Sequence, residues 1–310
     1  MKKNYLIFFF FKKKDGFRNV KSLRSYTPVF LVLPAFLTLL AINIFPFIFS
    51  LFSSFTALDL KTFKMEGFKF VGLENYVKYT FADATFRDSV LVTLEFTALA
   101  VVVQLAAGLY IALLLNQDVR GIGVARSLIM IPMAISPLAV GYIFKIETQQ
   151  EIGIIAYILR EYLNILFLPL TDAFQALSML VLVDAWMWTP FVALVLLAGL
   201  RTIPVDLVEV ARVDGASSLQ VFRHITLPSI RFQIIVVLLI RTMDTFKIFD
   251  IVYILTGGAP GTATQVASYW IYKVGMKFLE IGKASAMTYV MLIMVIIIST
   301  VYIKYVLRRE

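Results

Sequence analysis

IPVDLVEVARVDGASSLQVFRHITLP, residues 203–228, is a polar segment between long apolar runs, and its local signals predict two short helices. Gly215 is a natural stop and reversal for the first helix. Ser217, with Gln220 three residues later, predicts a capping box that starts the second helix. We expect the second helix to end at Pro228, because the residue before a proline avoids the α region. The segment is therefore expected to fold as a compact helix-turn-helix.

The first of these two helices has an apolar side that is unsuited to the lipid core. Pro204 suits its first turn, where the missing N–H is not needed. Glu209 and Arg212 can form an ion pair at i, i+3. An ordinary interhelical loop that packs on its own bundle would have the same features. The apolar side is formed by Val205, Leu207, Val208 and Ala211.

The composition outside this segment is that of a membrane protein. Hydrophobic residues are 60% of the chain, charged residues are 16%, and the mean hydropathy is +0.86. A soluble protein has roughly 45–50% apolar and about 25% charged residues. The chain has no cysteine, which excludes a disulfide framework and a thiolate metal site. The net charge of +9 does not point to nucleic acid, because much of the basic excess adjoins apolar runs.

Six apolar runs are long enough to cross a bilayer, which needs roughly 20 residues. We therefore predict an all-α polytopic membrane protein with six transmembrane helices. The third run contains Pro132 and Pro137, which a span tolerates when neighbouring groups satisfy the freed carbonyls. The predicted spans are 29–55, 90–115, 127–144, 176–200, 232–255 and 284–307.

Lysine and arginine are distributed unequally between the two sides of such a six-span bundle. They are concentrated in the N-terminal tail, in the loop 116–126, around the segment 203–228 and at the C-terminal end. On the opposite side, the basic residues of the loop 56–89 are matched by acidic ones. The positive-inside rule then predicts that both termini and the segment 203–228 are cytoplasmic.

The segment 203–228 has the form E-x-A-x-x-D-G-A followed by F-x-x-I-x-L-P. It resembles the cytoplasmic coupling loop, or EAA loop, of ABC-importer permeases. Such a loop lets a membrane channel without its own ATPase be driven by one. The resemblance implies that the partner ATPase is contacted by Glu209, Ala211, Asp214, Gly215, Ala216, Phe222, Ile225, Leu227 and Pro228.

Further motifs extend the resemblance to about residues 27–307. FVGLENY, residues 70–76, is similar to an external segment of the family, and LTGGAPG, residues 255–261, is similar to its external LTGGGPG turn. Ala259 replaces the third glycine of that turn. The pair of motifs is typical of the carbohydrate-uptake branch. We thus expect a transmembrane domain at 27–310 and a basic cytoplasmic tail at 1–26.

The resemblance also implies the partners and the mechanism. They are a second, related permease in a heterodimer, two ABC ATPase subunits, an extracytoplasmic sugar-binding protein and the lipid bilayer. ATP-driven closure of the ATPases would switch the cavity by alternating access. We expect no cofactor and no catalytic or metal residue. The chain lacks a G-x-x-x-x-G-K-[ST] loop, and its sole histidine, His224, lies in the coupling loop.

Polar and aromatic residues inside the predicted spans are candidates for the substrate path. Arg241 would lie about 14 Å above the start of the fifth run, near the midplane. Arg241 and Asp244 can neutralise each other as a structural ion pair, or they can line a path for sugar. The fourth run carries Asp184 beside aromatic residues that can stack on sugar rings. The candidate path residues are Arg241, Asp244, Thr245, Met187, Trp188 and Phe191.

The likeness to maltose-type members of the family implies sugar-contacting positions at Arg241, Thr245 and Ile248, and at Met187, Trp188 and Phe191. Arginine and isoleucine stand where that member has small polar residues. Two other classes of function stay open from the residues alone, a secondary transporter and a membrane scaffold or sensor without transport, the latter of which would need no polar interior. A secondary transporter would also place ionisable groups at the midplane, although no internal repeat is evident. A permease for a non-sugar substrate, such as glycerol-3-phosphate, would share the coupling loop.

Overall fold

The computed structural model describes residues 31–62, 67–117 and 119–307, with side chains to residue 304. The tail predicted at 1–26 and the first two residues of the predicted first span lie outside these ranges. Within them the regular secondary structure is helical, joined by turns and loops, with one isolated antiparallel β-bridge between Thr56 and Phe70. The chain divides into two units, Met1–Phe52 and Ser53–Glu310.

The described part of the first unit belongs to one helix, α1 (Leu31–Ser54). It contains a π-helical turn at Leu40–Ile44, just before Pro46. Phe45 donates its N–H to the carbonyl of Leu40, five residues back. A proline offers no N–H and crowds the carbonyl four residues back, so the wider turn lets the helix continue past it.

The second unit contains the remaining helices. They are α2 (Glu74–Tyr76, extended by a π turn, Val77–Phe81), α3 (Ala84–Leu115), α4 (Ile122–Ala134), α5 (Pro137–Glu147), α6 (Ile154–Leu163), α7 (Ala173–Leu200), α8 (Val205–Val213), α9 (Ser218–Ser229), α10 (Arg231–Phe246), α11 (Asp250–Leu255), α12 (Ala267–Tyr272, extended by a π turn, Lys273–Lys277) and α13 (Ile281–Leu307).

Four helices of the described chain are long and apolar enough to cross a membrane in one piece, namely α1, α3, α7 and α13. Two further pairs pass the same test only as bent pairs: α4 and α5 meet at 91°, and α9 and α10 meet at 63°. The predicted fifth run, 232–255, is divided between α10 and α11. The described chain therefore has four to six candidate spans, and continuous helices for the third and fifth runs are wrong predictions.

The break in the third run has a local cause. Pro137 is the first residue of α5, and Ile135 and Ser136 before it are extended, with ψ of 139° and 135°. The residue before a proline avoids the α region, and that preference prevails here. The chain turns sharply where we expected a tolerated proline.

Helices α3 and α7 form the centre of the second unit. Each begins at an aspartate whose carboxylate accepts from the first turn, Asp83 from the N–H of Thr85 and Asp172 from that of Gln175. A Cβ at Gly108 would lie 2.5 Å from Cγ1 of Val192, so this glycine lets the two backbones approach closely. Large apolar residues such as Phe96 fill the rest of the contact.

The turn at residues 255–261 explains the alanine in its motif. Gly257, Gly258 and Gly261 all have positive φ, a region that side chains disfavour. Ala259 does not have positive φ. A glycine is therefore unnecessary at Ala259, the one position where the chain departs from LTGGGPG.

Candidate functional site

Three polar side chains from three helices meet inside the second unit. Arg241 of α10 donates from Nε to Oε1 of Gln104 at 2.8 Å, and from Nη2 to Oδ2 of Asp184 at 3.0 Å. Gln104 of α3 donates from Nε2 to the same oxygen of Asp184 at 2.5 Å. The side chains of Arg241 and Asp184 are only 1% and 4% exposed. These charge-assisted hydrogen bonds join α3, α7 and α10. We refer to Gln104, Asp184 and Arg241 as the inner cluster.

A second ion pair lies one turn further along α10. Oδ1 of Asp244 is 3.3 Å from Nζ of Lys247, and its Oδ2 is 3.7 Å from Nη1 of Arg241. The side chain of Asp244 is 38% exposed and that of Lys247 is 68% exposed. We refer to Asp244 and Lys247 as the outer pair. Helix α10 ends at Phe246, so the outer pair sits where the helix breaks.

The ion pair that the spacing of Arg241 and Asp244 allows is present at 3.7 Å, but Asp244 is not the main partner of Arg241. The carboxylate hydrogen-bonded to Arg241 belongs to Asp184, 57 residues earlier in the chain. Asp244 is beyond hydrogen-bonding distance, and Nη1 of Arg241 has no hydrogen-bond partner. The guanidinium also lies 4.8 Å from the ring centroid of Trp188, a cation–π contact. Arg241 thus holds helices together.

The other predicted path residues lie at different depths. Met187 is 1% exposed and packs in the apolar core, and Thr245 is also 1% exposed. The hydroxyl of Thr245 donates to the carbonyl of Arg241 at 2.8 Å, one turn back in its own helix. Trp188 and Phe191 are half-buried, and Asp244 is the most accessible polar member of the set.

Sequence reasoning missed Gln104 and the pairing of Asp184. Gln104 is the polar residue in ALAVVVQLAA, residues 98–107, and it is completely buried. A buried amide needs hydrogen-bond partners, so its place in an apolar run was the available signal. The partner itself could not be identified, because Arg241 lies 137 residues away in the chain.

The segment 203–228 folds as predicted at its turn. Gly215 has a φ of +84°. Its N–H donates to the carbonyl of Arg212 at 3.0 Å, and the N–H of Ala216 donates to that of Ala211 at 2.9 Å. This pair of hydrogen bonds is a Schellman motif, which ends α8 with its last carbonyls satisfied. The turn is thereby fixed by the backbone.

The start of α9 also confirms its prediction. Ser217 accepts from the N–H of Gln220 at 3.3 Å, and the side chain of Gln220 accepts from the N–H of Ser217 at 2.7 Å. Helix α9 ends at Ser229, one residue past the predicted end, but the reason given for that end is wrong, because Leu227 before Pro228 is itself helical. A π turn at Phe222–Thr226 precedes the proline and lets the helix pass it. The chain then bends by 63° into α10.

Five of the predicted coupling residues line one open cavity of about 340 Å³ beneath this turn. Glu209, Leu227 and Pro228 are not among its lining residues. Glu209 and Arg212 form no ion pair in the described part of the chain, contrary to expectation. The residues that line the cavity are Ala211, Asp214, Gly215, Ala216, Gln220, Val221, His224 and Ile225.

Helix α8 exposes apolar side chains on more than one side. Val208 and Ala211 are half-buried, whereas Val205 is 68% exposed. Val213 is 87% exposed, and Leu219 at the start of α9 is 73% exposed. A cavity of about 620 Å³ separates α8 and α9 from the ends of α3 and α7, and Phe222 lies in its wall. The second unit therefore leaves apolar surface of this segment uncovered.

Comparison with protein families identifies a match over residues 104–309, to the family described as binding-protein-dependent transport system inner membrane component. The chain is 36% identical over 242 residues to the trehalose/maltose transport system permease protein MalF of Thermococcus litoralis, covering 76% of this chain and 79% of the relative. It is 34% identical over 282 residues to a probable ABC transporter permease of Sinorhizobium fredii, y4oQ, covering 91% and 90%.

Among solved structures, the fold resembles a chain in the crystal structure of a bacterial ABC transporter for import of the acidic polysaccharide alginate. The TM-score is 0.76 at 22% sequence identity, and the match covers 94% of this chain and 98% of that chain. At this identity the likeness concerns the fold.

Proposed function

We propose that this chain is the membrane subunit through which an ABC importer moves a sugar, because it belongs to the family of binding-protein-dependent transport system inner membrane components. Members of this family are transport subunits and not enzymes. The sugar is supported by a relative named for trehalose and maltose transport and by the external motifs of the carbohydrate branch. A secondary transporter loses its support, because the family couples transport to separate partner proteins.

The observation that carries the proposal is the cavity beneath the Schellman turn. It gathers five residues of the coupling motif in a segment whose turn and cap are fixed by hydrogen bonds. In the same segment Val213 and Leu219 are exposed, and Leu219 lines the larger cavity between this segment and the ends of α3 and α7. Uncovered apolar side chains around a rigid concave surface suit a protein partner. We assign that partner as the ATPase, with Glu209 facing one of its basic groups.

Six membrane crossings follow if α4 with α5 counts as one crossing and α10 with α11 counts as another. We propose both termini and the coupling segment on the cytoplasmic side, as the lysine and arginine distribution favours. Single cysteines are informative because the chain has none of its own. A cysteine at Ser217 should react with an impermeant maleimide only from the cytoplasm, and one at Thr262 only from outside. The reverse pattern would reject this topology.

The proposed substrate path runs past the break in the fifth span. Asp244, Trp188 and Phe191 are accessible enough to touch a sugar, by hydrogen bonding and by ring stacking. Arg241, Thr245 and Met187 form the layer behind them. A second, related permease would complete the cavity in a heterodimer, and a binding protein would deliver the sugar from outside.

The proposed mechanism is alternating access. ATP-driven closure of two ATPase subunits moves the coupling segments, and the spans follow as rigid bodies. The segment is suited to this because α8 and α9 are joined by a turn whose central N–H groups are hydrogen-bonded. A compliant loop would absorb the motion instead of transmitting it.

The test replaces exposed apolar residues of the coupling segment. We expect Val213→Asp with Leu219→Asp to reduce copurification of the ATPase more than tenfold, since one anchor residue contributes about 2 kcal/mol or more to such an interface and about 1.4 kcal/mol is a factor of ten. Leu163→Asp in α6, at a position 58% exposed, is the matched control and should leave copurification unchanged. Equal copurification of all variants would refute the docking site. A ligand screen on the accompanying binding protein tests the sugar separately.

A further inference from the structure

The charged groups around the break in the fifth span include more acids than bases. From Arg241 to Asp250 the chain carries two basic residues, Arg241 and Lys247, and two acidic residues, Asp244 and Asp250. Asp184 joins them from α7 through its hydrogen bond to Arg241. The region therefore holds two cations and three carboxylates.

The positive charge of Arg241 is not available to a ligand. Its side chain is 1% exposed, and Asp184 and Gln104 occupy Nη2 and Nε. Its remaining nitrogen, Nη1, is buried without a hydrogen-bond partner, and the nearest carboxylate is that of Asp244, 3.7 Å away.

The outer pair is accessible. Charged side chains that are 38% and 68% exposed at the end of a membrane-crossing helix do not face lipid, because a lipid-exposed charge is costly there. They face water or another protein. Asp244 and Lys247 thus present one acceptor and one donor at the place where α10 ends.

We propose that Asp244 makes this site selective for uncharged sugars over phosphorylated or carboxylated ones. The inference rests on the proposed function as a sugar importer and narrows its substrate class. A sugar hydroxyl donates to the Asp244 carboxylate and accepts from Lys247. A phosphate or uronate finds no cation that is not already paired with a carboxylate, and the carboxylate of Asp244 repels it. Anion sites instead use a surplus of arginine and lysine donors.

The experiment uses the assembled transporter without its binding protein, so that delivery does not set the preference. Glucose, maltose and trehalose, each with its 6-phosphate, are measured by equilibrium dialysis. For wild type we expect each neutral sugar that binds to bind at least tenfold more tightly than its phosphate. Asp244→Asn should lower that ratio at least tenfold, and Lys247→Gln on the same turn should not lower it.

Thermal unfolding checks that both variants fold, and the inner cluster is left intact in each. Wild type that binds phosphates as well as neutral sugars would overturn the selectivity and leave sugar import standing. Equal falls in the ratio for Asp244→Asn and Lys247→Gln would assign the effect to loss of the pair and also overturn it. Wild type that binds none of the six probes would overturn both proposals.

Discussion

Arg241 and Val213 have opposite and equally unusual surroundings. The arginine is charged and 1% exposed, whereas the valine is apolar and 87% exposed. In the inner cluster, Asp184 and Gln104 accept hydrogen bonds from the buried guanidinium, so the chain itself compensates the buried charge. The coupling segment leaves its apolar side chains uncovered. The difference indicates that the inner cluster maintains the fold, and it agrees with our proposal that another protein covers the coupling segment.

The largest expected effect comes from breaking the inner cluster. Asp184→Leu should destabilise the folded chain by about 3–5 kcal/mol, because it leaves Arg241 buried without its carboxylate. Asp184→Leu with Arg241→Met should recover most of that loss, since an apolar pair replaces the ion pair. Thermal unfolding of the detergent-solubilised protein measures both. A double variant no more stable than the single one would show that the ion pair itself is required.

The next effect concerns the turn of the coupling segment. Proline fixes φ near −65° and does not reach the +84° of Gly215. We expect Gly215→Pro to lower transport per ATP hydrolysed by about tenfold. Proline at this position would strain the turn by about 1–2 kcal/mol or more, and relief of that strain would displace α9. The protein should insert normally.

Gly121→Ala is the matched control for this turn, because Gly121 also has a positive φ and a Cβ added there would have no atom within 4 Å. It should cost stability but leave the coupling ratio unchanged. Glu209→Lys is expected to uncouple transport in the same way as Gly215→Pro. Wild-type transport by Gly215→Pro in proteoliposomes would reject the coupling role of the turn.

A smaller effect is expected from the cap of α9. Ser217→Ala removes half of the capping box and should cost about 1 kcal/mol of local helix stability. Amide hydrogen exchange should accelerate in the first turn of α9, and transport should fall only a few-fold. Ser229→Ala is the control, because its hydroxyl bonds the carbonyl of Ile225 in the same helix. Faster exchange in both variants would mean that the cap has no special role.

The smallest effect is expected at Thr245. Its hydroxyl is used within α10, where it donates to the carbonyl of Arg241. Thr245→Val should therefore change thermal stability by less than about 1 kcal/mol, with transport close to wild type. A severe loss of sugar transport with normal folding would instead assign Thr245 a direct contact with substrate.

Local signals predicted the coupling segment well. The stop and reversal at Gly215 and the capping box of Ser217 follow from residues within a few positions of each other, and both are confirmed. The same local reasoning failed at prolines. Whether Pro137 breaks a span or Pro228 is passed by a π turn depends on the adjoining packing, which a single sequence does not contain.

The inner cluster was beyond prediction for a different reason. Asp244 is three residues from Arg241 and was the natural partner from spacing alone. The hydrogen-bonding partners are Asp184 and Gln104, brought in by the packing of α3 and α7. Gly108 permits that close packing. The need for a glycine there is evident only from the structure, in which Val192 lies against it.

The distance in sequence between Asp184 and Arg241 also has a consequence for biosynthesis. At about 5–20 residues per second, the 57 residues between them take roughly 3–11 seconds to be made. During that interval α7 carries its carboxylate without the guanidinium that later balances it. The amide of Gln104 has already been synthesised, 80 residues earlier, and can hold Asp184 in the meantime. The order of synthesis thus makes Gln104 the first partner available to Asp184 and Arg241 the last.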